Sequence, residues 1–252
     1  MPVLAVIPAR LGATRLPRKP LRLLGGEPLV TRVAARVRSL GVADAVVVAT
    51  DHEEVHAAVR AAGGSSVLTR ESHPSGTDRV AEVAALDAYR EFDVILNVQG
   101  DEPFVDAGAL RGAIDMCARF PLGTSAVRAG PEILGNPNIV KVVCDASGRA
   151  MYFSRAPIPW LRDESDRDTR DALVCQHVGV YAYRRDALQH WITLPVHPLE
   201  QVERLEQLRP LAAGLAMGVA VQDGPLEGGI DTEDDLARAN QRWHDLYAGR
   251  MT

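Results

Sequence analysis

The chain has 252 residues, of which 46% are hydrophobic, and a formal net charge of −5. This length allows one large α/β domain or two small ones. The negative charge argues against a general nucleic-acid binder, which relies on an excess of positive charge. The three cysteines (Cys117, Cys144 and Cys175) are far apart and form no C-x-x-C pair, so the spacing indicates neither a zinc site nor a disulfide framework.

The amino terminus and the cysteines together favour a cytoplasmic protein. The scattered, odd-numbered cysteines fit a reducing compartment. The first residues lack a charged region followed by a long apolar stretch, so we expect no signal peptide. No apolar run approaches the length that crosses a bilayer.

The first half of the chain alternates short apolar runs with amphipathic segments. The pattern predicts strands at 3–8, 45–50, 67–69 and 93–98. It predicts helices at 28–41, 52–62 and 78–90, with Thr77 as the cap of the last. This alternation predicts a parallel sheet with right-handed crossovers.

The pattern changes after residue 120. Strands are predicted at 138–144, 149–154 and 175–183 without a full helix between them, which indicates antiparallel additions to the sheet and an arm for self-association. The remaining predictions are an exposed loop at 160–172, a helix at 198–213, a strand at 219–221 and a closing helix at 231–247.

A basic loop follows the first strand and contains Arg10, Arg15, Arg18 and Lys19. Ligands in open α/β sheets bind beyond the carboxyl ends of the strands, so an anionic ligand is expected here. Arginine presents a planar fork to phosphate oxygens and lysine a compact charge. Neither a P-loop nor a G-x-G-x-x-G pattern occurs, which favours a looser, basic phosphate site. Arg18 also fits a solvated surface charge.

Two acidic residues are candidates for binding a metal ion. Asp101 directly follows the predicted strand 93–98, where it could bind Mg²⁺ or cap the next helix. Asp231 follows Gly228 and Gly229. Its own pattern favours a helix cap, with Asp234 completing the first helical turn.

Two further segments could line a pocket. The turn at 73–79 precedes a helix, whose amino terminus could bind a polar ligand or could simply be capped. His177 and Tyr181 share a strand face by the two-residue period. That face could line a pocket, although a lone histidine is more often structural. The sequence reveals no serine or cysteine nucleophile paired with a base.

From Val3 to about Ala239 the chain resembles the 3-deoxy-manno-octulosonate (Kdo) cytidylyltransferase family. The opening motif alone would mark only the wider group of sugar nucleotidyltransferases, whereas the full set in this order is highly specific. The matching stretches are Ile7–Arg10, Thr14–Pro17, Lys19–Pro20, Ala49–Asp51, Ser75–Arg79, Asn97–Pro103, Asn136–Asn138, Val140–Val143, Tyr152–Arg155, Ile158–Trp160, His177 with Gly179 and Tyr181, Pro198–Glu200, Leu205–Arg209, and Asp231–Thr232 with Asp234 and Leu236.

Three stretches depart from the family pattern. Arg18 stands where a glycine is common, the loop 160–172 is of a variable kind, and Leu215–Gly218 replaces a more polar turn. None of them belongs to the core motifs, but the variable loop leaves the sugar specificity open.

The resemblance implies a Rossmann-like mixed α/β sheet of the nucleotide-diphospho-sugar transferase type, with an antiparallel dimerisation extension. It implies a single domain over 1–252, in which residues 130–200 bind sugar and form a homodimer. The implied reaction joins CTP and Kdo to give CMP-Kdo and pyrophosphate, depends on Mg²⁺, and activates Kdo for lipopolysaccharide or cell-surface glycan synthesis.

The resemblance also implies roles for individual residues. Arg10, Arg15 and Lys19 would hold the CTP phosphates, and Lys19, Asp101 and Arg10 would be catalytic. Asp101 and Asp231 would bind magnesium, which makes Asp231 a metal ligand rather than a cap. The cytidine would be surrounded by Pro8, Ala9, Ser75, Arg79 and Gln99. The sugar pocket would be lined by Arg155, His177, Tyr181, Glu206 and Gln207.

Two alternatives remain open. The first is a related cytidylyltransferase that acts on another ulosonic acid, such as an 8-amino sugar or a sialic acid. The second is a catalytically inactive protein that binds nucleotide sugars. The presence of Asp101, Asp231 and Lys19 argues against the second, because an inactive binder does not need paired carboxylates beside a phosphate loop.

Overall fold

The computed structural model describes residues 1–12, 15–224, 226 and 228–247. Thr14 of the opening motif lies outside these residues. The strands are β1 (Val3–Ala9), β2 (Leu23–Leu24), β3 (Glu27–Pro28), β4 (Ala45–Thr50), β5 (Ser65–Leu68), β6 (Val94–Asn97), β7 (Leu122–Arg128), β8 (Lys141–Cys144), β9 (Ala150–Ser154), β10 (Cys175–Arg184) and β11 (Met217–Gln222).

The α-helices alternate with these strands in the first half of the chain and are shorter in the second. They are α1 (Leu29–Ser39), α2 (Glu53–Ala61), α3 (Gly76–Ala84), α4 (Ala107–Arg119), α5 (Arg167–Asp171), α6 (Arg185–Thr193), α7 (Pro198–Glu203), α8 (Leu208–Ala212) and α9 (Glu233–Tyr247). The chain divides into two compact units: Met1–Val105 with Glu227–Thr252, and Asp106–Leu226. The prediction of a single domain over 1–252 stays a prediction.

The first unit contains the predicted parallel sheet. Strand β1 pairs in parallel with β4 and with β6, and β4 pairs in parallel with β5. The apolar run of β1 is almost entirely buried, as expected of a strand covered on both faces. Parallel pairing brings the carboxyl ends of β1, β4 and β6 to one edge, so the loops that follow them start side by side.

The second unit has a mixed sheet. Strand β10 pairs antiparallel with β7, and β11 pairs in parallel with β7. Strands β8 and β9 form an antiparallel pair, and β8 joins β10 at the pair Gln176–Lys141. A bulge between Val178 and Tyr181 shifts the register of β10 against β7. The antiparallel additions predicted after residue 120 are therefore confirmed.

Several predicted helices have different limits in the structure. Helix α3 begins at Gly76, and its cap is Ser75 rather than Thr77, because the Ser75 hydroxyl accepts a hydrogen bond from the backbone N–H of Asp78. The predicted helix 198–213 breaks at Arg204, which adopts a left-handed conformation with φ of 53°.

The predicted exposed loop 160–172 and four further elements also differ from the sequence prediction. The loop contains a 3₁₀ turn (Glu164–Asp166) and helix α5, because Asp163 caps the turn with its side chain. The sequence prediction also missed α4, β7, α6 and the short β2–β3 hairpin. No helix within the described residues has the length and apolar character needed to cross a membrane.

Candidate active site

A cleft of about 410 Å³ opens in the first unit at the carboxyl edge of its parallel sheet. It is built by the loop after β1, the turn before α3, the loop after β6 and the segment before α9. All the residues predicted to bind nucleotide or metal line it: Pro8, Ala9, Arg10, Arg15, Lys19, Ser75, Arg79, Gln99, Asp101 and Asp231.

Lys19 lies between the two predicted metal ligands. Its Nζ donates to Asp101 Oδ2 at 2.6 Å and to Asp231 Oδ1 at 2.8 Å. Although burial opposes the ammonium charge, attraction and hydrogen bonds from Asp101 and Asp231 outweigh it and raise the pKa of Lys19. Arg15 adds a second cation, because its Nη2 lies 2.9 Å from Asp231 Oδ2. This wall of the cleft is therefore an ion-paired cluster of side chains from distant parts of the chain.

Neither aspartate of this cluster is a helix cap. In α9 the capping pair is Thr232 and Asp235, since the Thr232 hydroxyl accepts from the N–H of Asp235 at 3.1 Å and the Asp235 carboxylate accepts from the N–H of Thr232 at 2.9 Å. Helix α4 is capped by Asp106, which accepts from the N–H of Gly108. The cap readings of Asp231 and Asp101 are thus wrong, and both carboxylates face the cleft.

These carboxylates form a donor set that fits a magnesium ion. Two of their oxygens already converge on one cation, the Lys19 ammonium. Burial, followed by repulsion from Asp101 and Asp231, raises the pKa of the neighbouring Glu102 to about 8, so Glu102 is mostly uncharged at pH 7. Among the described residues no group of three or more side chains is arranged as a metal site. A magnesium ion held by Asp101 and Asp231 would therefore need phosphate oxygens or water as its remaining ligands.

The loop after β6 approaches β1 so closely that only glycine fits at one position. A Cβ on Gly100 would lie 2.9 Å from the backbone oxygen of Pro8. The close approach brings the loop that carries Gln99 and Asp101 beside Pro8 and Ala9 in the lining of the cleft.

The amino-terminal end of α3 forms another part of the cleft lining. Arg79 is buried, and its guanidinium donates to Asp51 Oδ2 at 2.6 Å and to the Thr69 hydroxyl. Asp51 directly follows β4, and the sequence prediction gave it no role. A role for Asp51 could have been predicted from its position directly after a buried strand, because ligand-binding loops begin there.

Arg18 is a surface charge. Its φ of 56° is left-handed, which explains why a glycine is common at this position in the family that the sequence resembles. Its guanidinium pairs with Glu54 of α2 at an exposed site.

The second unit holds the residues predicted to bind the sugar. The rings of His177 and Tyr181 have centroids 5.4 Å apart, and the Phe153 ring meets His177 edge-on at 5.0 Å. Burial among these groups lowers the pKa of His177 to about 3 and raises the pKa of Tyr181. The adjacent segment carries Glu206 and Gln207, and Gln207 is buried. This group is uncharged at its centre, because His177 and Tyr181 are both neutral at pH 7.

Arg155, also predicted to bind sugar, belongs to a network of partly buried and exposed hydrogen bonds. Its guanidinium donates to the backbone oxygens of Glu203 at 2.7 Å and Pro137 at 2.9 Å. The Glu203 carboxylate in turn accepts from the Ser154 hydroxyl at 2.6 Å and from the Arg155 N–H at 2.9 Å. Arg155 thus joins the end of β9 to the end of α7, the helix before Glu206 and Gln207.

Lys141 completes this network and was given no role by the sequence analysis. It is fully buried, and its ammonium donates to the backbone oxygens of Asn136 at 3.1 Å, Ile139 at 2.7 Å and Arg155 at 2.5 Å. Lys141 follows the Asn136–Asn138 motif. A lysine in an otherwise apolar strand was the signal that it binds a buried acceptor.

Comparisons with known proteins identify the family of the chain. The cytidylyltransferase family model matches residues 4–217. The chain belongs to the cytidylyltransferase family. A curated relative, the 3-deoxy-manno-octulosonate cytidylyltransferase of Gemmatimonas aurantiaca, is 63% identical over 254 aligned positions, which cover 100% of this chain and 98% of the relative.

Two solved structures are similar to this chain over almost its whole length. One is a CMP:2-keto-3-deoxy-manno-octonic acid synthetase complexed with CTP, with a TM-score of 0.89 and 36% identity over 98% of this chain and 100% of that chain. The other is the 4-diphosphocytidyl-2C-methyl-D-erythritol synthase of Anaerococcus prevotii, with a TM-score of 0.62 and 14% identity over 96% and 97%. The second shows likeness of fold alone. The predicted family and fold class are confirmed.

Proposed function

We propose that the chain transfers the cytidylyl group of CTP to 3-deoxy-manno-octulosonate, giving CMP-Kdo and pyrophosphate. The observation that carries this proposal is the cleft in which Lys19, Asp101 and Asp231 meet beside Arg10 and Arg15. A relative at 63% identity bears the name of this activity, and a structural neighbour was solved with CTP.

In the proposed reaction the anomeric hydroxyl oxygen of the sugar attacks the α-phosphorus of CTP. One P–O bond forms, the bond to the pyrophosphate oxygen breaks, and the hydroxyl proton passes to water. Such transfers depend on positioning and electrostatic stabilisation more than on covalent catalysis. Arg10 and Arg15 are assigned to the leaving phosphates, and Lys19 to the charge on the α-phosphate.

Asp101 and Asp231 are assigned to a magnesium ion, which supplies Lewis-acid neutralisation of phosphate charge when it is bound. In the structure Lys19 pairs with both carboxylates, and Arg15 supplies the second positive charge at Asp231. We infer that Lys19 turns to the phosphates when CTP enters. Its ammonium is already charged beside the two carboxylates, and a change of side-chain rotamer would direct it to a phosphate oxygen.

Pro8, Ala9, Ser75, Arg79 and Gln99 are assigned to the cytidine. The absence of a side chain at Gly100, beside the Pro8 backbone oxygen, lets a flat base approach the backbone at this point of the cleft. Arg155, His177, Tyr181, Glu206 and Gln207 are assigned to the sugar. Hydroxyl-rich sugars are bound by neutral acceptors and donors of the kind that His177, Tyr181 and Gln207 provide.

The wider expectations are also proposals. We infer a single functional domain over 1–252, a cytoplasmic enzyme of lipopolysaccharide or cell-surface glycan synthesis, and a homodimer formed through residues 130–200. Support for the homodimer comes from exposed apolar side chains in the second unit, with Trp160 76% and Met151 63% exposed. Analytical ultracentrifugation at several concentrations would test it, and a monomer at all of them would contradict it.

The deciding experiment measures pyrophosphate release with Mg²⁺, Kdo and each of the four nucleoside triphosphates. We expect release with CTP and Kdo together and with neither alone. Parallel reactions with 8-amino-Kdo and sialic acid test the alternative sugars. Binding of CTP without release from any of these sugars would support the inactive binder instead.

A further inference from the structure

The Thr124 side chain, fully buried on β7, contacts three groups of β10. Its Oγ1 lies 2.7 Å from the backbone oxygen of Val180, 3.3 Å from that of Val178 and 2.9 Å from His177 Nε2. The register shift between Val178 and Tyr181 is the local cause, because the bulge turns two nearby carbonyl groups toward one hydroxyl.

Counting donors fixes the direction of these hydrogen bonds. A hydroxyl carries one proton and can accept through its lone pairs, whereas a carbonyl oxygen can only accept. A hydrogen bond from Thr124 to either the Val178 or the Val180 oxygen therefore uses the hydroxyl proton of Thr124. The contact to Val180 at 2.7 Å is shorter than the contact to Val178 at 3.3 Å and is the stronger hydrogen bond. With its proton directed to Val180, Oγ1 can only accept from His177. The proton of the imidazole consequently lies on Nε2.

The surroundings of His177 favour a neutral ring of this tautomer. The Phe153 ring packs edge-on against the imidazole. The Tyr181 ring is tilted by 53° to the imidazole, and the two ring centroids are 5.4 Å apart. Removal from water lowers the pKa of His177 to about 3, so the ring carries one proton at pH 7. With that proton on Nε2, the Nδ1 lone pair is an acceptor. Among the described residues none is a hydrogen-bond partner of Nδ1.

We propose that Thr124 is a positioning residue, which holds His177 as the Nε2–H tautomer so that Nδ1 accepts a hydrogen bond from a hydroxyl group of the sugar substrate. The tautomer half of this proposal follows from the contacts of Thr124 and His177 alone. The substrate half rests on the proposed function. In this arrangement His177 selects a donor at one position of the sugar and carries out no proton transfer.

The test compares Thr124→Val with Thr124→Ser. Valine keeps the shape of threonine and removes the acceptor, whereas serine keeps the hydroxyl. Nitrogen-15 spectra of the imidazole report the tautomer directly, and His177→Gln assigns the signals. We expect the neutral Nε2–H tautomer in the parent protein and in Thr124→Ser, and a mixture or the Nδ1–H tautomer in Thr124→Val. An Nδ1–H tautomer or an imidazolium in the parent protein at pH 7 would overturn the proposal.

Kinetics test the substrate half. Thr124→Val should raise KM for the sugar by about tenfold, the usual effect of one hydrogen bond, with little change in KM for CTP. Thr124→Ser should restore most of it, which a general loss of folding could not explain. An unchanged KM for the sugar in a valine variant with an altered tautomer would overturn the substrate half. If the parent protein turns over no sugar at all, the proposed function fails while the spectra still decide the tautomer.

Discussion

The chain's only two lysines, Lys19 and Lys141, lie in opposite kinds of surroundings. Lys19 is paired with two carboxylates at the wall of a cleft, and these raise its pKa. Lys141 is fully buried and bound by three backbone oxygens, and burial followed by repulsion from Arg155 lowers its pKa.

The contrast shows how one residue type serves two purposes. An ion pair with side chains can be exchanged, because the carboxylates can take another cation and the lysine another anion. Backbone oxygens cannot move away without unfolding their segments. We therefore expect changes at Lys19 and its partners to affect turnover, and changes at Lys141 to affect the free energy of unfolding.

The largest expected effect is on the carboxylate side of the Lys19 cluster. Asp101→Asn should lower kcat by at least about a hundredfold, since it removes charge at the reacting phosphate, while the fold survives. Pyrophosphate release and thermal unfolding measure the two effects. Asp115→Asn, at an exposed position of α4, is the matched control. Near-normal turnover in Asp101→Asn would remove Asp101 from the site.

Lys19→Ala should come next, with kcat lowered on the order of a hundredfold and a smaller change in KM. The physical reason is that Lys19 would stabilise charge that develops only in the transition state. The neighbouring Arg18→Ala is the control, because Arg18 pairs with Glu54 at the surface. A change confined to KM for CTP would mean that Lys19 contributes to binding alone.

Lys141→Met should show the reverse pattern. Loss of the buried ammonium removes a donor shared by three backbone oxygens, so the free energy of unfolding should fall by about 2–4 kcal/mol. Denaturant unfolding measures this, with Arg111→Met on the exposed face of α4 as the control. If Lys141→Met were as stable as the parent protein, the contrast between the two lysines would be wrong.

A smaller effect concerns the pH dependence of stability. The pKa of His177 is about 3 when folded, against an ordinary value of about 6.5, so between these values the unfolded chain binds more protons. Stability should therefore fall as pH drops below 6.5, by up to about 1.4 kcal/mol per pH unit for this group. Unfolding of His177→Gln should lack this contribution, whereas His190→Gln, exposed on α6, should retain it.

The smallest effect is expected at Arg18, beside Lys19 in the chain. Arg18→Gly removes a side chain from a left-handed position and also removes an exposed ion pair. We expect an equal or higher Tm and unchanged kcat. A large loss of activity would show that the exposed arginine takes part in the site after all.

The charged site could be predicted from sequence because its residues follow buried strands. Parallel strands bring their carboxyl ends to one edge, so a basic loop after β1 and an acidic residue after β6 had to lie close together. The interpretation of Asp231 as a helix cap was wrong, because Thr232 and Asp235 accept hydrogen bonds from each other's backbone N–H groups at the start of α9. Pattern alone cannot choose among adjacent residues that are all good caps.

The second unit was less predictable because its interactions depend on register. The bulge at Val178–Tyr181, which places Thr124 beside His177, follows from the tertiary pairing of β10 with β7. The break at Arg204 interrupts a helical pattern that has neither glycine nor proline at the break. The Lys141 network consists of contacts to backbone oxygens, which a sequence does not display.

Because the chain has only two lysines, chemical labelling of its ε-amino groups can be selective. With Lys141 fully buried, Lys19 is the one ε-amino group that an amine-directed reagent can reach without unfolding the chain. Acylation needs the unprotonated amine, which the two carboxylates disfavour. The labelling rate of a single amine therefore reports whether Lys19 is held by Asp101 and Asp231, is shielded by a bound nucleotide, or is released.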